Sequence, residues 1–232
     1  MADYWAVIPS AGSGSRFGAA LPKQYQPVHG RAVLSWTLGC FLARDWISGI
    51  VVATPPGDNA FSGLPEAADA RVHRVTGSDS RARSVANALV GVEQACREPR
   101  DTFVLVHDAA RPCVSAAALE RLRDEASDAD GGLLALPVAD TLKRAEAQRV
   151  AATVDREGLW RAQTPQMFPL HRLMSALRGA QLNGLEPTDD AQAMEAAGAR
   201  PRLVRGETTN LKLTYAEDLD VIARQLDQGA SR

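Results

Sequence analysis

The chain has 232 residues, 45% hydrophobic and 23% charged, which is ordinary for a globular protein of one large domain. Its 26 basic and 28 acidic residues give a net charge of −2, which argues against a general nucleic-acid-binding surface. The three cysteines are widely spaced, and the sequence has neither a signal-peptide pattern nor an 18-residue apolar run, so we expect a reduced, cytoplasmic protein without a membrane segment.

Short apolar runs alternate with helical periodicity along the chain. The predicted strands are residues 4–8, 49–53, 72–76, 102–106, 132–137 and 203–205. The predicted helices are residues 32–44, 84–95 and 116–126. Uninterrupted apolar strands are typical of a parallel sheet covered on both faces. The sequence therefore predicts one α/β domain over residues 1–232, with a doubly wound, mostly parallel, Rossmann-like sheet and ligands at the carboxyl ends of its strands.

A glycine-rich loop follows the first predicted strand. Residues 9–18 are mostly small, Arg16 lies among them, and Lys23 follows in a Pro-Lys-Gln-Tyr sequence. The glycine spacing matches neither a dinucleotide fingerprint nor a P-loop. Small residues let backbone N–H groups approach phosphate oxygens, and Arg16 and Lys23 add cations, so the segment predicts a triphosphate-binding loop. The alternative is an ordinary turn between a strand and a helix.

The third predicted strand ends in a polar turn at residues 76–84. Its backbone groups and the Ser84 hydroxyl could meet the edge of a nucleotide base, and the same turn would also cap the next helix. Arg81 is either part of this site or a surface cation.

Asp108 follows the fourth predicted strand, at the same edge of the sheet. One carboxylate there suits Mg²⁺, which takes few protein ligands beside phosphate oxygens and water. The alternative is that Asp108 caps the following turn. His107 is expected to be packed or hydrogen-bonded rather than to act as a base or a ligand.

Residues 141–156 are polar and have too little apolar surface for a core. They predict two thin strands around a turn near residues 146–149, forming an arm that projects from the domain and that spans about residues 138–158 with its flanking residues. An isolated two-stranded ribbon is marginally stable in water, so we expect the arm to pack on a second subunit; the alternative is a solvated hairpin.

Three later segments, residues 160–168, 186–190 and 209–214, are predicted to be short polar insertions beside apolar sequence. Their hydroxyl groups, together with Arg156 and Lys212, suit a second, phosphorylated substrate. Leu211 and Leu213 are strand-like neighbours that would place Lys212 opposite a buried face.

Together these motifs resemble the 2-C-methyl-D-erythritol 4-phosphate cytidylyltransferase family of the non-mevalonate isoprenoid pathway. The similarity extends from about residue 3 to about residue 228 and is carried by residues 10–16, 22–25, 106–112, 140–141, 154–156, 163–166 and 210–212. The first motif also occurs in other sugar nucleotidyltransferases, whereas the full series is specific. The resemblance implies a homodimer that joins CTP to 2-C-methyl-D-erythritol 4-phosphate and releases pyrophosphate, using Mg²⁺ or another divalent metal.

The resemblance also implies roles for individual residues. Those implied to act on the transferring group are Arg16 and Lys23, which would stabilise the transition state, and Arg156 and Lys212, which would position the acceptor. Those implied to bind the nucleotide are Ser10, Ala11, Gly12, Ser13, Gly14, Gly77, Ser78, Asp79, Ser84 and Ala109. Those implied to bind the acceptor are Arg111, Thr141, Thr164 and Thr188, the first two from the partner's side of a dimer. Asp108 is the implied metal ligand.

Two other functions stay open at this point: a nucleotidyltransferase for another sugar or alditol phosphate, and a non-catalytic nucleotide sensor. The motifs at Thr141, Arg156 and Thr164 argue against the first. A non-catalytic sensor is disfavoured because four charged site residues are all present: Arg16, Lys23, Asp108 and Lys212. Thr209 departs from the family, many members of which carry an acid at this position, so no role of that acid is carried over.

Overall fold

The computed structural model describes residues 2–12 and 21–230. Its strands are β1 (Asp3–Pro9), β2 (Pro27–Val28), β3 (Arg31–Ala32), β4 (Gly49–Thr54), β5 (Val72–Thr76), β6 (Thr102–Val106), β7 (Gly132–Pro137), β8 (Leu142–Glu146), β9 (Arg149–Val154), β10 (Trp160–Pro169) and β11 (Arg202–Arg205). Its helices are α1 (Val33–Leu42), α2 (Arg81–Ala95), α3 (Ala116–Glu125), α4 (Leu170–Leu182), α5 (Asp190–Ala196) and α6 (Asp218–Ala230). None of the helices in these ranges has the length and apolar character that crossing a bilayer requires.

Seven strands form the central sheet, in the order β11-β7-β10-β6-β1-β4-β5. Neighbouring strands run parallel except at β10, which is antiparallel to both β6 and β7. The predicted doubly wound, mostly parallel sheet is confirmed.

Helices cover the sheet on both faces, as β1 illustrates. Trp5 and Val7 belong to the core under α2, α4 and α5, whereas Ala6 and Ile8 belong to the core under α1 and α3. Every second side chain of a strand points to the same face, so burying both faces requires apolar residues at consecutive positions. This is why the strands appear in the sequence as uninterrupted apolar runs.

The prediction of a polar insertion at residues 160–168 is wrong. These residues belong to β10, which lies inside the sheet and is buried from Gln163 onward. Its polar side chains are hydrogen-bonded: Gln163 Nε2 donates to the Glu207 carbonyl at 2.9 Å, and Gln166 Nε2 donates to Asp189 at 2.9 Å. Partners of this kind remove most of the cost of burying an amide, so a polar strand is stable inside the sheet.

The two predicted strands of the arm are confirmed as a hairpin of β8 and β9. Ala147 and Gln148 form its turn with φ angles of 45° and 64°, the left-handed conformation that two-residue hairpin turns favour. The hairpin is a separate two-stranded sheet, and its side chains are mostly exposed, with Val150 67% accessible. Within the described chain, the arm therefore buries little of its own surface.

Three loops leave the carboxyl edge of the sheet side by side. Backbone hydrogen bonds extend the ladder just past the strand ends, from Ser10 to Ala53 (2.8 Å), Gly77 to Thr54 (2.7 Å) and His107 to Val7 (2.8 Å). The strand order reverses at β1, since β4 follows on one side and β6 on the other. A crevice at such a reversal is where α/β sheets bind ligands.

Candidate active site

A cleft opens at this edge. The described residues that line it are residues 9–12 after β1, residues 23–24, residues 78–81 with Ser84, residues 108–110 after β6, and Lys212. The structure therefore brings together most of the predicted nucleotide-binding residues, Lys23, Asp108 and Lys212. Ser13, Gly14 and Arg16 lie outside the described residues.

Asp108 is the charged centre of the cleft. Lys212 Nζ lies 2.9 Å from its Oδ2, Arg111 Nε lies 3.2 Å from the same oxygen, and Arg81 Nε lies 3.6 Å from its Oδ1. Burial disfavours the charged carboxylate, but the three cations outweigh burial and hold the pKa of Asp108 well below its usual range. Asp108 is thus a carboxylate at any physiological pH.

His107 is fully buried and is linked to the backbone of Asp108 through the hydroxyl of Thr164. Its Nε2 lies 3.0 Å from the Arg111 carbonyl, which can only accept, so we assign the ring proton to Nε2. Nδ1 then accepts from the Thr164 hydroxyl at 3.0 Å, and that hydroxyl oxygen accepts the Asp108 N–H at 3.1 Å. Burial lowers the pKa of His107 to about 4, so the ring is neutral. The prediction of a hydrogen-bonded histidine is confirmed.

The turn before α2 is built around Ser84. Its buried Oγ accepts the Ser78 N–H at 2.9 Å and lies 2.9 Å from the Ser80 carbonyl. Gly77 is required for close approach, since a Cβ there would lie 2.5 Å from the Ala11 Cβ. The turn is thereby held rigidly against the loop after β1, with Ser78 and Asp79 facing the cleft.

Arg81 lies in an ion-pair network and is not a surface cation. Its Nη2 donates to Asp190 Oδ2 at 2.8 Å, and Asp190 is almost fully buried at the start of α5. Arg81 therefore ties α2 to both α5 and Asp108. Asp190 could not be predicted as the partner of Arg81, because the two residues lie 109 positions apart and no local pattern links them.

Lys23 lies in a short 3₁₀ turn, residues Lys23–Tyr25, at the mouth of the cleft. Its ammonium donates to the Leu213 carbonyl at 3.1 Å. The next residue, Gln24, is buried and donates from Nε2 to the Ser10 carbonyl at 3.0 Å. That bond attaches the Lys23 turn to the loop after β1, a contact that no local sequence pattern predicts.

Lys212 lies opposite a buried neighbour, as predicted, although its segment is not a strand. Leu213 is fully buried with the α6 residue Ile222, whereas the Lys212 side chain is 41% exposed. Residues 211–214 have no regular structure. Asp218, the first residue of α6, instead accepts the N–H groups of Thr214 and Tyr215, each at 2.8 Å, so the side chain of Asp218 holds the segment against the start of the helix.

The predicted acceptor residues are not among the described lining of the cleft. Arg111 packs behind Asp108 and donates to the Asn210 carbonyl at 2.7 Å, and the Thr164 carbonyl accepts from Asn210 Nδ2 at 2.8 Å. Thr141 precedes β8 at the base of the arm, and Arg156 follows β9, where it donates to the Ala139 carbonyl. Thr188 lies in the loop before α5, where its N–H donates to Gln192 at 2.7 Å.

The carboxylate of Asp108 in the cleft fits a magnesium ion whose other ligands come mainly from a bound nucleotide. Asp108 supplies carboxylate oxygens, the hard ligands that Mg²⁺ prefers, and Mg²⁺ usually keeps water and phosphate oxygens as its other ligands. Within the described ranges, no group of three or more His, Cys, Asp or Glu residues forms a metal cage. A site built on Asp108 would thus depend on substrate phosphates.

The comparisons with known proteins agree on one family. Residues 4–227 match the family model described as 2-C-methyl-D-erythritol 4-phosphate cytidylyltransferase. A protein of that name from Halorhodospira halophila (strain DSM 244 / SL1) is 50% identical over 231 residues, covering 97% of this chain and 95% of the relative. A solved structure named 4-diphosphocytidyl-2C-methyl-D-erythritol synthase has a TM-score of 0.86 at 39% identity and covers 98% of this chain and 100% of that one. The solved 2-C-methyl-D-erythritol 4-phosphate cytidylyltransferase from Thermus thermophilus has a TM-score of 0.80 at 35% identity, covering 97% and 99% of the two chains. The chain belongs to the 2-C-methyl-D-erythritol 4-phosphate cytidylyltransferase family.

Proposed function

We propose that the cleft transfers the cytidylyl group of CTP to 2-C-methyl-D-erythritol 4-phosphate and releases pyrophosphate. Family membership makes the chain a nucleotidyltransferase of isoprenoid precursor biosynthesis and does not favour either alternative function. The observation that carries the assignment to this cleft is the meeting of Lys23, Asp108 and Lys212 beside the Ser84 turn.

In this reaction a phosphate oxygen of the acceptor attacks the α-phosphorus of CTP. A new phosphorus–oxygen bond forms, and the bond from the α-phosphorus to the bridging oxygen breaks, so that the electron pair leaves with pyrophosphate. Negative charge grows on the α-phosphoryl oxygens and on the leaving group, where fixed cations stabilise the transition state most. Lys23 supplies one such cation, and we assign a second to Arg16. No side-chain nucleophile is needed.

We assign recognition of cytosine to Ser84 and the turn at residues 77–79, and the approach of the triphosphate to the loop at residues 10–14 and Ala109. A backbone carbonyl that accepts from the cytosine amino group would face a carbonyl oxygen in uracil. Two acceptors would then oppose each other without a proton, which costs binding free energy. The rigidity of the Ser84 turn makes that cost hard to avoid.

We assign Asp108 as the metal ligand and Lys212 and Arg156 as the groups that position the acceptor phosphate, with Thr164 and Thr188 near it. When bound, Mg²⁺ would neutralise charge on the triphosphate. The contribution of the chain itself is to keep Asp108 ionised and oriented, through Arg111 on one side and Arg81 on the other.

We also infer that the arm packs on a second copy of the chain, placing Thr141 and Arg111 on the partner's side of a shared acceptor site. The exposure of β8 and β9 supports this, because a ribbon that buries so little surface is marginally stable alone. We place the protein in the cytoplasm, in keeping with its three free cysteines.

Pyrophosphate release with a panel of nucleotides and acceptors tests the proposal. We expect release with CTP and methylerythritol phosphate, a much lower kcat/KM with UTP, ATP or GTP, and none without the acceptor. Equal kcat/KM for CTP and ATP would contradict the assignment of cytosine recognition to the turn at residues 77–79, here called the base turn. Turnover with a different sugar or alditol phosphate in place of methylerythritol phosphate would contradict the proposed acceptor.

A further inference from the structure

Tyr25 closes the short turn that carries Lys23 and fixes it to a different part of the fold. Its ring is 7% exposed and belongs to the core under α1 and α3. Its hydroxyl donates to the Asp58 carboxylate, in the loop after β4. Burial and the neighbouring carboxylate raise the pKa of Tyr25, so the phenol keeps its proton and remains a donor.

Asp58 is itself held from several directions. Its Oδ2 receives the Tyr25 hydroxyl, while its Oδ1 accepts the N–H groups of Ala60 at 2.9 Å and Phe61 at 3.3 Å. Its backbone carbonyl accepts from Arg74 Nη2 at 2.6 Å. A carboxylate with this many partners is a fixed anchor rather than a mobile surface group.

The anchor is also continuous with the base turn. Arg74 Nε donates to the Thr54 hydroxyl at 2.8 Å, and the Thr54 carbonyl accepts the Gly77 N–H at 2.7 Å. The turn that carries Lys23 is thus attached, through Tyr25 and Asp58, to the strand end from which the base turn begins.

We propose that Tyr25 and Asp58 are positioning residues for Lys23. The hydrogen bond between Tyr25 and Asp58 holds the Lys23 turn at a fixed place relative to the base turn. The proposal rests on the proposed function, in which Lys23 acts on the transferring phosphoryl group. Without this bond, the Tyr25 ring stays buried in the core, but the Lys23 turn is no longer attached to Asp58. A cation displaced by about 1 Å from the reacting phosphoryl group loses much of its effect on the rate.

Tyr25→Phe tests the proposal, because it removes the hydroxyl and keeps the ring in the core. We expect kcat to fall about tenfold and KM for CTP to stay within about twofold, since the loss affects the transition state more than binding. In a Lys23→Ala background, Tyr25→Phe should lower kcat no further, because residues that act through one another are not additive. Amine acetylation of Lys23, followed by mass spectrometry, should be several-fold faster in Tyr25→Phe, and this readout does not depend on turnover.

Tyr4→Phe is the matched control. Tyr4 also donates or accepts one hydrogen bond, with Ser127 Oγ at 3.0 Å, and it lies at the start of β1, at the edge opposite the cleft. It should change neither kcat nor the acetylation of Lys23. If Tyr25→Phe does not fold, Asp58→Ser replaces it in the same experiment, because a serine hydroxyl can still accept the local N–H groups of the turn but is too short to reach the Tyr25 hydroxyl.

An unchanged kcat in Tyr25→Phe, an effect confined to KM, or an equal loss in the Lys23→Ala background would overturn the proposal. A wild-type enzyme that releases no pyrophosphate would overturn the proposed function instead. In that case the acetylation of Lys23 still decides whether Tyr25 holds the turn, and equal rates in wild type and Tyr25→Phe would overturn the positioning role.

Discussion

At the scale of single residues, Asp108 shows how one carboxylate can place several cations. Lys212, Arg111 and Arg81 approach it from three segments that are distant in sequence. Lys212 is partly exposed and can turn toward a ligand, whereas Arg81 is held by buried Asp190 and Arg111 is largely buried behind Asp108. The same carboxylate thus organises the positive charge that a triphosphate and a second phosphate would meet.

Lys23→Ala is expected to leave the fold intact and to lower kcat by about 10²–10³, the usual contribution of one electrostatic stabiliser of a transition state. Steady-state kinetics and thermal unfolding measure the two effects, and Arg16→Ala should behave alike. Arg97→Ala, which removes an exposed cation just after α2, is the control and should have no effect. A normal kcat with only a raised KM would mean that Lys23 binds substrate and transition state equally.

Asp108→Asn keeps the shape of the side chain and removes its charge. We expect the midpoint of the Mg²⁺ titration of activity to rise, and the free energy of unfolding to fall by about 2 kcal/mol. Breaking a fully buried ion pair costs more, about 3–5 kcal/mol, but Lys212 can turn to solvent. Asp130→Asn, which breaks an exposed pair with Arg172, is the control for the change in charge. An unchanged Mg²⁺ titration would show that Asp108 stabilises the following turn and does not bind the metal.

Among the elements, the turn between β5 and α2 caps a helix and is also the surface to which we assign recognition of the base. Ser80 caps α2 by accepting the Arg83 N–H at 3.2 Å, and this is why the helix begins at Arg81 rather than at Ser84 as predicted. Ser84, one turn into the helix, then reaches back to hold Ser78. The backbone of the turn is fixed before any ligand arrives, so a base would bind to a preformed edge.

Gly77→Ala tests this rigidity. The new Cβ would lie 2.5 Å from the Ala11 Cβ and 3.3 Å from the Thr54 carbonyl, so the base turn and the loop after β1 must move apart. We expect the Kd for CTP, measured by calorimetry, to rise about tenfold or more. Gly179→Ala inside α4 is the matched control, because its Cβ meets nothing within 4 Å and alanine favours a helix. A Gly77→Ala protein with normal CTP affinity would show that the turn does not contact the nucleotide.

At the scale of the whole molecule, the sheet and the arm follow different physical rules. The sheet is stable because apolar side chains on both faces are removed from water by helices. The arm has no such cover within the described chain, and its exposed aliphatic residues, Val150 among them, favour an interface. A two-fold exchange of arms would give each subunit the same contact with its partner.

Mixing two inactive variants tests a site shared between subunits. Lys23→Ala damages the cleft, and Thr141→Glu places a carboxylate on the arm, where it would repel the acceptor phosphate. Arg111 is unsuited to this experiment, because its loss also disturbs Asp108 of its own chain. After subunit exchange, half of the dimers are mixed and each holds one intact site, so about a quarter of wild-type activity should return. Proven exchange without recovery, or a fully active monomer in sedimentation, would falsify the shared site.

Local sequence patterns were enough to predict most strands of the central sheet, the position of Asp108 at its carboxyl edge and the hairpin of β8 and β9. Residues 102–106 predict a buried strand because all five side chains are apolar or β-branched, and β6 occupies that range. Asp108 then had to lie at the carboxyl edge, since it closely follows the strand. The arm was predictable for the opposite reason, because a segment with so few apolar residues cannot enter a core.

Contacts between residues that lie far apart along the chain could not be predicted from the sequence. The position of β10 between β6 and β7 was not predictable, because its amides become compatible with burial only through bonds to residues 189 and 207. The same holds for the pairing of Arg81 with Asp190, the bond from Lys23 to Leu213 and the anchor from Tyr25 to Asp58. Periodicity and turn chemistry are local properties, whereas the contacts that orient charged groups at this cleft form only when the sheet brings distant segments to one edge.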